Sequence, residues 1–496
     1  MNLMYQSTRD SSKKVTASQA ILQGLSTDGG LFVPESIPVL THSMDELSQM
    51  SYQEISYEVM KLFLTDYTEE ELKDCINKAY DDKFDTKEIA PINKVGQAFY
   101  LELFHGSTIA FKDMALSILP HLLTTSAKKN NVKDEIVILT ATSGDTGKAA
   151  LAGFADVEGT KIIVFYPKDG VSSVQEKQMV TQKGDNTAVI GINGNFDDAQ
   201  TGVKAMFNNK DLAKKMGQAG FQFSSANSIN IGRLVPQIVY YVYSYASLYR
   251  RDAIKKGETI NVVVPTGNFG NILAAYYAKS MGVPIDKLIC ASNENKVLYD
   301  FFSTGRYDRN REFVLTTSPS MDILVSSNLE RLIYQITECD AEKTVQLMQT
   351  LSSQGTYDIT EPMKKHLEGF IGGWASAEET EEAIKRVYAE ANYVIDTHTA
   401  VAASVYNNYV ARTGDAKKTI IVSTASPYKF AQSVLKAISS GDVPKDDYEQ
   451  AKVLSRLSGT KIPEAVEEIR LAPVLHTRVC DVAEMQYIVE DILKII

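Results

Sequence analysis

Lys112 is the residue of this chain best placed by its surroundings to act as a nucleophile. It stands in His105 to Ala115, HGSTIAFKDMA, among Ile109, Ala110, Phe111, Met114 and Ala115. An ammonium group in apolar surroundings loses hydration, so its pKa falls and the neutral amine becomes available as nucleophile or base. Two glycine-rich segments follow downstream, TATSGDTGKAA and PTGNFGNILAA, each after an apolar run of strand character. A glycine-rich loop that opens a helix offers free backbone N–H groups to a phosphate. Singly, such a lysine reads as a solvated surface residue and such a loop as a plain turn. In combination they predict a phosphorylated aldehyde cofactor held as a Schiff base, which is pyridoxal phosphate (PLP).

Near matches to other chemistries fail in detail. TSGDTGKAA has Thr142 where a P-loop needs its first glycine, and Ala149 where Ser or Thr must follow the lysine. PTGNFGN lacks the G-x-G-x-x-G spacing of a dinucleotide site; it reads as either a strand-to-helix turn or a phosphate cup. Ser426 to Lys429 and Ser126 to Lys129 match S-x-x-K, but neither S-D-N nor K-T-G occurs. Thr424, ahead of ASPYKF, reads as a helix N-cap. His398 is expected as a buried structural histidine, because six scattered histidines without HExxH give no metal site. SANSINIGRLVPQ sets Asn227, Ser228, Asn230 and Arg233 ahead of a helix, either as caps or as an anion site.

These segments need a scaffold that brings them together. Ile136–Thr140, Lys161–Tyr166, Ala188–Ile192, Asn261–Pro265, Leu288–Ala291 and Thr419–Thr424 are short apolar runs of buried-strand type. Helical patterns alternate with them, which predicts βαβ units and parallel sheets covered on both faces. Ligands of such sheets sit beyond the carboxyl ends of the strands, where the segments above fall. The first ninety or so residues read as helical and charged, with Thr68 and Glu71 spaced as a capping box and a loop turning at Asp28-Gly29-Gly30. Val235, Ile238, Val239, Val242 and Ala246 predict an amphipathic core helix.

At 496 residues the chain exceeds one compact core, so two or three domains are expected. A net charge of −11 argues against a nucleic-acid surface while leaving room for a local basic pocket. Four scattered cysteines without a CxxC pair suggest neither zinc nor disulfides and fit a reducing cytoplasm. MNLMYQSTRD has no secretory h-region, and no run approaches the roughly 18 apolar residues of a membrane helix. A cytoplasmic enzyme without nucleic-acid or membrane partners is expected.

The motifs and their order resemble the threonine synthase family nearly end to end. The resemblance is carried by YQSTRD, GLSTDGGLFVPESIP, ELFHGSTIAFKDMA, TATSGDTGKAA, INGNFDDAQ, SANSINIGRLVPQ, PTGNFGN, PSMDILVSSNLERL, IDTHTAVA and STASPYKF. It implies an α/β fold-type-II PLP enzyme, with two parallel-sheet domains around the cofactor cleft and a mainly helical N-terminal domain. The expected partition is 1–95 for the N-terminal domain, 96–134 with 221–496 for the large PLP-binding domain, and 135–220 for the small domain. The resemblance implies conversion of O-phospho-L-homoserine and water to L-threonine and phosphate, by a monomer or homodimer. By the same token Lys112 would carry PLP, and Gly267, Asn268, Phe269, Gly270 and Asn271 would hold its phosphate. Thr424 would meet its pyridine nitrogen. Thr142, Ser143 and Thr146 would bind the substrate carboxylate or nearby phosphate, and Asn227, Ser228 and Arg233 the substrate phosphate.

Two positions depart from the family pattern. Ser426 replaces the histidine of the usual ATAHPAKF, and Asp145 stands where shorter relatives carry an asparagine facing the cofactor's 3′ oxygen. An ionised Asp145 would repel that oxyanion unless it turns away or a neighbouring donor compensates. Two other activities use the same scaffold. A phospho-lyase giving 2-oxobutyrate would need the same residues, and a silent PLP-binding homologue is disfavoured by an intact Lys112. Serine and threonine dehydratases lack the substrate phosphate that NSINIGR would serve.

Overall fold

The structure is a computed structural model that describes residues 2–142, 144–171 and 173–496, apart from the side chains of Ser173 and Asp197. The runs of Val, Ile and Leu build two sheets whose central strands are buried on both faces, as parallel strands under helices must be. The larger has the order Phe370–Trp374, Ile285–Ser292, Ile260–Pro265, Thr419–Ser423, Ala98–Glu102, Ile92–Val95. Neighbours are parallel except the last two, which form an antiparallel pair. Val262 faces Leu288 on one side and Ile420 on the other, at the centre of the sheet.

The smaller sheet is parallel throughout, in the order Val479–Asp481, Thr187–Asn193, Thr160–Pro167, Glu135–Ala141, Phe221–Ser224. Its membership departs from the expected partition. Residues 221–224 form one edge strand and 479–481 the other, and Met485, Ile488 and Val489 of the last helix pack into its core. Residues 92–95, assigned to the N-terminal domain by sequence, pair instead with Ala98–Glu102 in the large sheet.

The N-terminal region is less purely helical than expected. Tyr5–Ser7 lies between Lys14–Val15 and Phe32–Pro34 in an antiparallel sheet, ahead of the helices Ala17–Gln23, Met44–Leu47, Tyr52–Phe63 and Glu69–Ala79. Strands of two or three residues are too short to show a period of two. The capping box does form: Thr68 Oγ1 accepts from Glu71 N–H, and the Glu71 carboxylate accepts from Thr68 N–H. The helix Ile231–Arg250 was expected to be amphipathic, yet every residue from Ile231 to Leu248 is buried. Tyr52, Ile55, Val59 and Phe63 share its core, so the N-terminal helices cover the face that would otherwise meet solvent.

One close approach sets the small domain against the Lys112 segment. A Cβ at Gly153 would stand 2.1 Å from the Leu116 carbonyl oxygen, so only glycine lets the helix Asp145–Phe154 rest directly on Asp113–Leu116.

Candidate active site

The loop before Lys112 is stapled to the carboxyl end of the strand Thr419–Ser423. Phe111 N–H donates to the Thr424 carbonyl (2.8 Å), Ser426 N–H donates to the Ile109 carbonyl (3.0 Å), and Ala110 bridges Ala425. Ile109 sits at φ 51°, a strained position for a β-branched residue, held here by those two bonds. The Asp113 carboxylate accepts from both the N–H and the hydroxyl of Thr108 and so closes the loop from the other side. Thr424 is buried at this junction rather than capping a helix; Ser426 provides the cap, accepting from Tyr428 N–H.

Lys112 is buried, with its Nζ 3.3 Å from Ser320 Oγ, 3.6 Å from Asp145 Oδ2 and 5.0 Å from the centre of the Phe111 ring. Burial holds its ammonium below the ordinary lysine range; Asp145 opposes that shift, while Lys429 and Arg233 add to it. The open question over Asp145 has a geometric answer. Its Oδ1 lies 3.1 Å from Lys429 Nζ and accepts from Gln175 Nε2 at 3.0 Å, while Oδ2 accepts from Ser320 Oγ at 3.1 Å. Burial alone would raise its pKa, but Lys429 and then Lys112 outweigh it and hold the carboxyl well below the usual carboxylate range.

Ser320 is oriented from behind. Its N–H donates to His398 Nε2 (3.2 Å), which leaves the ring proton on Nδ1 for the Asp396 carboxylate (2.7 Å). His398 is thus the buried structural histidine expected.

PTGNFGN follows the strand Ile260–Pro265 and opens the helix Gly270–Ser280, with Phe269 at φ 65° and no side chain capping the first turn. The leading N–H groups of that helix are available to an anion. Asn268 is tied back by its carbonyl, which accepts from the N–H and the Nδ2 of Asn328 (both 3.1 Å). Asn271 Oδ1 accepts from the hydroxyls of Tyr240 and Tyr241, while its Nδ2 is buried without a partner among the described residues. A cup of free N–H donors with an orphaned amide beside it fits a phosphate.

Asn227 and Ser228 lie in the turn before the helix Ile231–Arg250, and the cap itself is Asn230, whose Oδ1 accepts from Gly232 N–H. Capping therefore does not require Asn227 or Ser228. Arg233 is buried; its Nη1 donates to the Ala226 carbonyl (3.0 Å), its Nε has no partner among the described residues, and burial lowers its pKa to about 10. Thr142 Oγ1 already accepts from Gly144 N–H and Gly147 N–H, which shapes the loop, so only its hydroxyl proton is left for a ligand. Thr146 is half-buried in the first turn of the same helix, and Ser143 lies outside the described residues.

A cleft of about 1370 Å³ opens between the two sheets, lined by Gln175 and Phe196 on one wall and by Asn268, Ile323 and Lys429 on the other. Sequence reasoning missed Lys429, Ser320, Gln175 and Arg331. Arg331 is fully buried and donates to the Phe32 and Ile229 carbonyls and to Asn328 Oδ1, so it ties the N-terminal sheet to both anion loops. No group of side chains suited to a metal ion occurs among the described residues, and no described helix is long and apolar enough to cross a membrane.

Comparison with known proteins places this layout. Residues 88–362 match the family model of pyridoxal-phosphate dependent enzymes. Models described as threonine synthase N terminus and threonine synthase, C-terminal, match residues 4–80 and 399–471. The fold is that of a fold-type-II PLP enzyme, and PLP is the cofactor. Threonine synthase of Saccharomyces cerevisiae is 36% identical over 470 residues, covering 88% of this chain and 89% of the yeast protein. The X-ray structure of PLP-bound threonine synthase from Brucella melitensis is 32% identical, with a TM-score of 0.85 and 99% of both chains covered. Threonine synthase-like 1 of Homo sapiens is 38% identical over 462 residues, which cover 90% of this chain; the chain spans only 61% of that longer protein. The chain belongs to the threonine synthase family.

Proposed function

We propose that the chain converts O-phospho-L-homoserine and water to L-threonine and inorganic phosphate. The observation that carries this reading is the Arg233 Nε, unpartnered among the described residues and buried close enough to Lys112 to depress the lysine's pKa. A buried guanidinium with a free donor asks for an anion, and the cup at Gly267 to Asn271 already serves the cofactor phosphate. A second phosphate, on the substrate, supplies it.

Bound PLP supplies an electron sink for charge that develops at the substrate's Cα. The N–H groups of Gly267, Asn268, Phe269, Gly270 and Asn271 hold the cofactor phosphate. Thr424 offers a neutral hydroxyl to the pyridine nitrogen, which does not enforce a pyridinium. Lys112 Nζ takes the Cα proton and returns protons later in the cycle, so one amine serves as base and acid. Asn227, Ser228 and Arg233 grip the phosphate that leaves from Cγ. Thr142, Ser143 and Thr146 bind the substrate carboxylate, and the cleft walls keep water away until it is needed at Cβ.

Product analysis tests the reaction. Phosphohomoserine should yield threonine and phosphate in equal amounts. Formation of 2-oxobutyrate in place of threonine would identify a phospho-lyase, and no turnover by PLP-loaded protein would mark a silent homologue. Arg233→Ala tests the assignment of the two phosphates. A charge-assisted hydrogen bond contributes about 1.5–3 kcal/mol, so kcat/KM should fall about 10- to 100-fold. Both kcat and KM should respond if the contact also helps phosphate leave. PLP content and absorbance should stay normal, and loss of the cofactor would mean that Arg233 serves the other phosphate.

A further inference from the structure

Lys429 is a fully buried ammonium that the reaction described above does not use. It is anchored at both ends of its reach. Its Nζ donates to the Thr108 carbonyl at 3.0 Å and lies 3.1 Å from Asp145 Oδ1. Thr108 belongs to the loop that carries Lys112, and Asp145 is the carboxylate beside Lys112. The Asp145 Oδ2 and Ser320 Oγ then meet Lys112 Nζ from one side.

Lys112 is neutral for part of any cycle in which its amine acts as nucleophile and base. Asp145 then loses one of its two cations. A buried carboxylate left without a counter-ion takes up a proton or swings away, and breaking a buried pair in this way is strongly destabilising. Lys429 removes that difficulty, because the Thr108 carbonyl holds its Nζ 3.1 Å from Asp145 Oδ1 independently of Lys112. It also accounts for an aspartate, rather than an asparagine, at position 145 so near the cofactor.

We propose that Lys429 is a positioning residue for the reaction at Lys112: it holds Asp145 as a fixed carboxylate, and Asp145 with Ser320 keeps the Lys112 amine aimed at the reacting carbon. This rests on the reading of Lys112 as the cofactor lysine. Titratable groups surround the cluster. Lys429 acts on Asp113 and on Lys148, Asp113 acts on Lys148, and Arg233 acts on Lys112; the His398 ring, held between Ser320 N–H and the Asp396 carboxylate, stands behind Ser320. Removing the Lys429 cation takes a like charge away from Lys112 and leaves Asp145 free to bind it more tightly. Both changes favour the protonated form of whatever titrates at Lys112.

The test uses the PLP-loaded protein and two measurements, kcat and the pH midpoint of the bound cofactor's absorbance change. Lys429→Met should lower kcat about 10- to 100-fold, as a small misplacement of a reacting group does, and move the midpoint up by about one pH unit. Asp145→Asn should move it down. The double variant, which removes both charges, should return to near the wild-type midpoint and be no slower than Lys429→Met alone. Multiplied losses in the double variant, or a slow Lys429→Met with an unmoved midpoint, would overturn the proposal. If Lys429→Met does not fold, judged by its thermal midpoint, Lys429→Gln keeps a donor for the Thr108 carbonyl and carries the same comparison. A failure of the parent reading is seen separately: borohydride reduction of wild-type protein would then label a lysine other than Lys112.

Discussion

Lys112→Ala should lose the cofactor tether and nearly all turnover, a drop of at least about 10⁴-fold, since the acid–base contribution alone reaches that order. Three lysines compete for the assignment. Burial lowers Lys148 to about 8, which by pKa alone makes it a ready amine. Its Nζ, however, donates to Gln182 Oε1 at 2.6 Å, and it stands apart from the Ser320 and Asp145 contacts that define the site. Lys429 is spent between Asp145 and the Thr108 carbonyl. Only Lys112 combines a depressed pKa with a weakly held amine, at 3.3 Å from a hydroxyl and 3.6 Å from a carboxylate. Borohydride reduction of the PLP-loaded protein, followed by peptide mapping, should place the pyridoxyl group on Lys112. A label on Lys148 or Lys429 would falsify the assignment.

The parts of this site that were legible in the sequence are local ones. Lys112 among apolar neighbours and the glycine loops after apolar runs each announce themselves within a dozen residues, as the Thr68–Glu71 capping box does in the fold. The central strands were legible because both faces are buried, so their runs are continuously apolar. The edge strands were not: Phe221–Ser224 is half exposed, and Val479–Asp481 has a single buried residue. Sheet order is a long-range property, and that is why 221–224 and 479–481 were not read as strands of the smaller sheet. The partner of Asp145 was hidden for the same reason. Lys429 donates to a carbonyl 321 residues away in sequence, and no local pattern encodes such a contact. The amphipathic reading of Ile231–Arg250 failed because its second face is covered by the N-terminal helices, a fact of packing and not of periodicity.

Gly267→Val should strip the protein of PLP while leaving Arg233 untouched, the reverse of what Arg233→Ala should do. The effect is steric. A Cβ at position 267 would stand 2.5 Å from the Ser320 carbonyl oxygen and 3.4 Å from Met321 Cα. Both are backbone atoms, so no rotamer change relieves the clash. The two loops cannot simply separate either. Ser326 Oγ donates to the Gly267 carbonyl at 2.7 Å, and Asn328 N–H donates to the Asn268 carbonyl at 3.1 Å. A branched side chain must therefore push the turn around Ser320 out of place, opening the phosphate cup and withdrawing the hydroxyl that meets Lys112. Overpacking of this kind costs about 1–3 kcal/mol, and at the upper end, where the clash is with backbone, PLP affinity should fall about 100-fold. Titration of PLP into stripped protein measures it directly, and kcat at saturating PLP should fall as well because Ser320 has moved. Wild-type affinity for PLP in Gly267→Val would mean that the cofactor phosphate sits somewhere other than the Gly267 loop.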